Sequence, residues 1–293
     1  MLRYFGYLLI VLAALALTGT AAFCLFDGLT ERFQTEGAVR LVAFDDLAGN
    51  QGQNVPLAAL IENLDYDRPV LNAWLVFRFS DGWSQGMWSD QSGLCRVTRR
   101  GALASGRHRF FVSFPDTYPR LDVRSGGEVW LLPPGARVLW VEAAAIDREP
   151  DPFMPPPDQP PTEAMRAALD AVKTLAVGRQ VVYLVSAVPQ EYPMVRRRLG
   201  EAAAAAGPAI WVKPAAEAQR LGLLRRAAPN VDAALLCSPA LADAAEKMKI
   251  RVCRVPRADA PAAEAAEGVK GWLEALGQVS GRRGGGRLSG DGK

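Results

Sequence analysis

Apolar and polar positions follow three different rhythms along the 293-residue chain. Residues 4–26 carry no charge, and an apolar run of that length can cross a bilayer as a helix. From residue 38 to about 132, short runs rich in Val, Leu, Phe and Trp are broken at Asp81-Gly82, Ser92-Gly93, Ser105-Gly106 and Gly126-Gly127. These predict strands over 38–44, 55–62, 70–79, 85–89, 93–98, 107–114 and 128–132, a spacing that fits a β-sandwich. Beyond residue 136, short continuous apolar runs alternate with longer, alanine-rich stretches. Strands are predicted over 137–142, 180–186, 209–213, 231–237 and 250–255, with helices over 162–176, 190–205, 215–227, 240–248 and 261–277. Unbroken apolar strands are those of a parallel sheet covered on both faces, so this half predicts a Rossmann-like α/β domain.

The expected fold class is therefore α/β plus β. A transmembrane anchor or signal segment occupies 1–30, the β-sandwich 36–134, the α/β domain 135–278 and a disordered tail 279–293, which is glycine-rich and basic. The boundary is placed near Pro133-Pro134-Gly135. The segment from Glu149 to Pro161 holds seven prolines and has the stiffness of an interdomain linker. A strand already belonging to the α/β pattern precedes it, so it is read as a loop inside the second domain. Arg3 ahead of the apolar run favours an internal N-terminus, which places both domains outside the cytoplasm on a single-pass anchor. Cleavage after the small residues Thr20-Ala21-Ala22, giving a secreted protein, is the alternative.

Composition narrows the chemistry. A net charge of +3 gives no general attraction to nucleic acid. Four cysteines without a Cys-x-x-Cys pair do not make a disulfide scaffold or a zinc site. His108 is the single histidine, and it lies in a strand-like run far from any nucleophile motif, which leaves little room for Ser-His-Asp catalysis. No Gly-rich nucleotide fingerprint or phosphate-binding loop occurs. Trp74 and Trp130 fall inside strand runs and are expected in the core, while Trp83 and Trp88 flank a turn. Arg196-Arg197-Arg198 and Arg225-Arg226 are expected on solvated helix faces.

The run Val138 to Glu142, the strand Tyr183-Leu184-Val185 with Ser186-Ala187 behind it, and Pro189, Tyr192 and Lys213 downstream resemble the haloacid dehalogenase-like superfamily. The likeness is greatest to its phosphatidate-phosphatase-type branch and spans residues 136–256. In that family the first strand ends in an Asp-x-Asp-Gly-Thr motif of nucleophile and general acid. The second strand ends in a hydroxyl residue, a Lys follows, and an acidic pair holds Mg²⁺. Here the nucleophile position holds Glu142, the acid position Ala144, and the acidic pair is replaced by the Cys237-Ser238 region. Aspartyl-phosphate chemistry needs a placed carboxylate and a metal held by several oxygens. The resemblance thus implies a catalytically degenerate domain without a cofactor, Mg²⁺ entering only if an atypical phosphatase survives on Glu142 or Asp147. Residues 38–132, through Val55-Pro56-Leu57, Arg68-Pro69-Val70 and Gly106-Arg107-His108, loosely resemble bacterial immunoglobulin-like domains.

Right-handed crossovers would gather Glu142, Ser186, Lys213 and Ser238 at one edge of the parallel sheet, where ligands bind in such folds. The expected function is a membrane-anchored, noncatalytic pseudophosphatase that serves in binding or scaffolding. The alternative is a protein that binds phosphate esters or other anions through Ser186 and Lys213. At that edge Glu142 is expected to pair with Lys213 and so satisfy the site internally.

Overall fold

The computed structural model describes residues 38–48, 54–115, 123–146, 163–201, 205–255 and 257–258. The apolar run 4–26, the proline-rich segment, the helix expected over 261–277 and the tail lie outside these residues. Among the described residues no helix is long and apolar enough to cross a membrane.

Among the described residues nine strands build a β-sandwich. One sheet joins β1 (Val39–Phe44), β3 (Val55–Asn63), β4 (Arg68–Pro69) and β7 (Leu94–Arg99); β1 flanks β3 on one side, and β4 and β7 pair with it as well. The other runs in the order β2 (Asp46–Ala48), β9 (Val123–Leu131), β8 (Gly106–Phe114), β5 (Trp74–Phe79), β6 (Ser84–Trp88). Alternate residues supply the sandwich core: Leu57, Ala59 and Ile61 from β3 meet Leu75 and Phe77 from β5 and Phe110 and Val112 from β8. That is the period of two expected of a strand with distinct faces.

The second layer is a parallel sheet in the order β12 (Ala209–Trp211), β11 (Gln180–Val185), β10 (Val138–Glu142), β13 (Val231–Leu236), β14 (Val252–Arg254). Helices α1 (Glu163–Leu175) and α2 (Tyr192–Glu201) cover one face; α3 (Glu217–Ala227) and α4 (Pro239–Lys247) cover the other. The central strand shows why: Leu139 and Val141 pack with Val172 and Val195, while Val138 and Trp140 pack with Leu221 and Leu241. The chain winds outward from β10 in both directions, which makes the gap between β10 and β13 the topological switch point. A turn closed by the Ala136 amide on the Pro133 carbonyl (3.1 Å), with Gly135 at φ +78°, links sandwich to sheet.

The two layers are not beads on a string. Along β1, Leu41 and Ala43 face the sandwich core, whereas Val42 and Phe44 belong to the same apolar cluster as α1, α2 and β10. From Leu41 to Phe44 this strand is thus buried on both faces, which explains the unbroken apolar run. The chain then passes Asp45, which bridges in parallel to Ile210 of β12, and enters the other sandwich sheet as β2. A single stretch of ten residues, Val39–Ala48, therefore pairs with three sheets.

Two expectations are corrected. Trp74 is 40% exposed on the outer face of β5, lying flat over Gly86, where a Cβ would come within 2.0 Å of its ring. Trp130 is half-buried between the sheet and Arg107 rather than inside the sandwich core. Both follow from register, because each falls on the outward parity of its strand.

Candidate functional site

Of the four residues singled out at the strand ends, Glu142 and Ser238 meet, while Ser186 and Lys213 do not join them. Glu142, the last residue of β10, is 3% exposed. Its Oε2 accepts the backbone N–H groups of Cys237 and Ser238, both at 2.8 Å, across the switch point. Ser238 is the N-cap of α4, with Pro239 at the first helical position, so the carboxylate sits at the positive end of that helix. Burial, reinforced by the neighbouring Glu142 carboxylate, pushes the Cys237 thiol well above its ordinary range. Ser186 lies half-buried behind β11, one strand away.

Lys213 is exposed and follows β12, two strands from β10. A strand spacing of roughly 4.8 Å separates the two backbones by about 10 Å. The expected Glu142–Lys213 pair is therefore replaced: Glu142 takes two amides, and Lys213 opens away from the switch point toward the sandwich. Amide donors converge on the Glu142 oxygen, and the neighbouring Ala144 offers no ligand. That donor set does not fit Mg²⁺, which requires several oxygen ligands. Among the described residues no three His, Cys, Asp or Glu side chains form a metal-ligating group.

A second place has more open geometry. A cleft of about 720 Å³ lies between the β3–β7 face of the sandwich and the segment from Trp211 through α3. Phe44 stacks on Trp211 there, with centroids 4.7 Å apart and planes at 14°. Trp211 is held by its Nε1–H donating to the Ala187 carbonyl at 2.9 Å. Leu94, Val97 and Leu223 extend the apolar lining, and Arg96, Lys213 and Arg220 bring positive charge. The turn that presents Lys213 is closed by the Ala216 amide on the Lys213 carbonyl (3.1 Å), with Pro214 second and Ala215 third at φ +64°. A type II turn favours glycine at that third position, so Ala215 is strained there.

Behind the cleft a polar clamp joins the layers. Asp45 is 2% exposed; its carboxylate accepts from Arg196 Nε at 2.8 Å and from the Glu128 amide at 2.8 Å. The Tyr192 hydroxyl accepts the Asp45 amide at 2.9 Å and donates to the Ala209 carbonyl at 2.7 Å. Burial pushes the Asp45 carboxyl up to about 7 against the opposing pull of Arg196. Asp46 is also raised by burial, while Arg220 at 3.0 Å pulls it back. Arg196, expected on a solvated helix face, is instead spent on Asp45 and the Gly126 carbonyl. The sequence did contain a signal for this clamp: two adjacent carboxylates inside the apolar run Leu41 to Ala48 need partners wherever that run is buried.

No family model matches the chain, and no curated protein matches it. Among solved structures, fibronectin(III)-like modules of Clostridium thermocellum CbhA are similar at 8% identity with a TM-score of 0.23, covering 32% of this chain and 96% of theirs. The D0-D1 domain of intimin is similar at 19% identity and TM-score 0.22, covering 33% of this chain and half (50%) of that one. A carbohydrate acetylesterase from Xanthomonas citri is similar at 14% identity and TM-score 0.27, covering 80% of this chain and 73% of its own. Likenesses at this level carry no argument about activity, and the sandwich and parallel sheet rest on their strand pairing.

Proposed function

We propose that this chain is a noncatalytic binding protein, held outside the cytoplasm by residues 4–26, in which an immunoglobulin-like sandwich is fused to a degenerate phosphatase-like α/β layer. One observation carries the reading: the Glu142 carboxylate occupies the switch-point crevice and satisfies the Cys237 and Ser238 amides. A phosphatase of the resembling family needs that position for a nucleophile free to attack and for a metal. A carboxylate oxygen tied to two amides is neither, and helix α4 already has its anion. The fused layers leave the α/β part a platform rather than a working centre.

The test is hydrolysis of an aryl phosphate by the full-length protein with and without Mg²⁺. No Mg²⁺-dependent turnover is expected. Turnover that disappears in Glu142→Gln would overturn the reading in favour of an atypical phosphatase.

A further inference from the structure

Between the layers lies a site that Glu142 does not close. The cleft of about 720 Å³ falls within the roughly 300–1,000 Å³ of small-molecule sites. Its floor is preorganised: Trp211 is fixed by the Ala187 carbonyl and stacked on the buried Phe44. Leu94, Val97 and Leu223 continue an apolar surface.

The charges at its rim are unequal. Asp46 is the one carboxylate among the described lining residues, and it is already taken by Arg220 and by the Leu47 amide. Arg96 and Lys213 are both exposed, and neither is engaged in a side-chain hydrogen bond or ion pair among the described residues. Asp90 feels the Arg96 charge, but no hydrogen bond or ion pair joins the two side chains, and Asp90 Oδ1 is committed to Ser92 and the Leu94 amide. Two uncommitted cations thus stand over an aromatic and aliphatic floor. Ala215 in its left-handed conformation, with its amide donating to Glu217 Oε1 at 3.0 Å, fixes the turn that presents Lys213. Strained backbone of this kind clusters at ligand sites.

We infer that this interlayer cleft binds a small organic anion with a flat apolar body, its acidic group between Arg96 and Lys213 and its body on the Leu94–Trp211–Leu223 surface. The guanidinium forks onto a carboxylate, sulfonate or phosphate ester, and the ammonium adds a point charge. The site stands independently of the closed crevice at Glu142, since no residue is shared.

The test is calorimetric titration of the full-length protein with naphthalene-1-sulfonate, its neutral sulfonamide and inorganic sulfate. The sulfonate is expected to bind one to one, and more tightly than either of the others. Arg96→Glu and Lys213→Glu are each expected to weaken it by about tenfold or more, the loss of a charged hydrogen bond. Both positions are exposed, and an unchanged melting temperature shows that the variants fold. Lys213→Arg should retain binding, and Leu223→Ser should weaken the sulfonate but not sulfate. Sulfonamide binding as tight as sulfonate would overturn the inference in favour of a merely apolar groove. Equal binding of sulfate would reduce it to a bare cation pair, and an affinity unmoved by both charge reversals would place the ligand elsewhere.

Discussion

At the scale of single residues, two positions carry opposite lessons. Glu142 is a buried carboxylate whose Oε2 is held by two backbone amides in the loop after the neighbouring strand β13. Removing it in Glu142→Ala leaves two amides facing a cavity, and hydrogen bonds to charged groups contribute about 1.5–3 kcal/mol. We expect a loss of about 2–4 kcal/mol in urea unfolding, with Glu142→Gln costing less because its amide oxygen can still accept. A loss below about 0.5 kcal/mol for Ala would mean the contacts are incidental. Ala215 is the reverse case. Another Pro-containing turn, at Pro133-Pro134-Gly135, places glycine where φ is positive, whereas Ala215 holds φ +64° with a Cβ. The left-handed conformation costs an L-residue about 1–2 kcal/mol, and glycine's extra unfolded-state entropy returns about 0.4–1 kcal/mol of that. Ala215→Gly should therefore raise stability by up to about 1 kcal/mol. A clear loss would show that the Cβ is packed rather than strained.

At the scale of elements, the consecutive strands β1 and β2 decide how the layers meet, and they do so with buried charge. Asp45 ionises ordinarily at 3.8 but is pushed up to about 7 by burial in the fold. Between those values the folded chain binds the proton more readily than the unfolded one. Stability therefore falls as pH rises from about 4 to about 7, and the cost is complete above the folded value. Asp45→Asn removes this dependence. The stability of the natural chain relative to Asp45→Asn should thus decline across that window by a few kcal/mol, roughly 1.36 kcal/mol per unit of pKa shift. Chemical denaturation at pH 4, 5.5, 7 and 8 reads it directly; a constant difference would mean that Arg196 neutralises the burial cost fully. This element also marks where sequence reasoning ran out. Strand and helix positions were legible because period-two alternation and short apolar runs are local. The sequence predicts one sandwich strand over 38–44, yet both faces of Leu41–Phe44 are buried against different layers, a fact that no local pattern encodes. Glu142 and Ser238 were identified from strand-end placement and do meet. Lys213 joins them in the sequence because it falls near the Lys of the resembling family and follows a strand of the same sheet. The sheet order β12-β11-β10 instead puts it two strands away, at an edge the sandwich overhangs. Arg96, on a sandwich strand, could not be joined to Lys213 without knowing how the layers dock.

At the scale of the whole molecule, the shared apolar clusters turn two architectures into one unit of stability. Val42, Phe44 and Leu60 of the sandwich lie in one cluster with Leu139, Val172 and Tyr183, and Leu47 and Leu132 lie in another with Trp140 and Leu221. Phe44 is central: 3% exposed, stacked on Trp211 and edge-on to Tyr192 at 5.2 Å. Separating the layers would expose that aromatic surface and strand Asp45 and Asp46 without Arg196 and Arg220. Putting that apolar and aromatic surface into water while losing these charge-assisted contacts is costly, so neither layer has a comfortable separated state. We therefore expect one cooperative transition. Hydrogen exchange followed by mass spectrometry in rising urea should show β8 of the sandwich and β10 of the parallel sheet losing protection at the same midpoint. Phe44→Ala should lower both midpoints together, since truncating a buried Phe costs about 3–5 kcal/mol. Were the layers independent, β8 would keep its midpoint in that variant while β10 lost its own, and the docking would then be a contact between two finished domains. A common shift instead means that the cleft between them is a permanent feature of the fold, with its walls held at fixed separation by the same residues that hold the molecule folded.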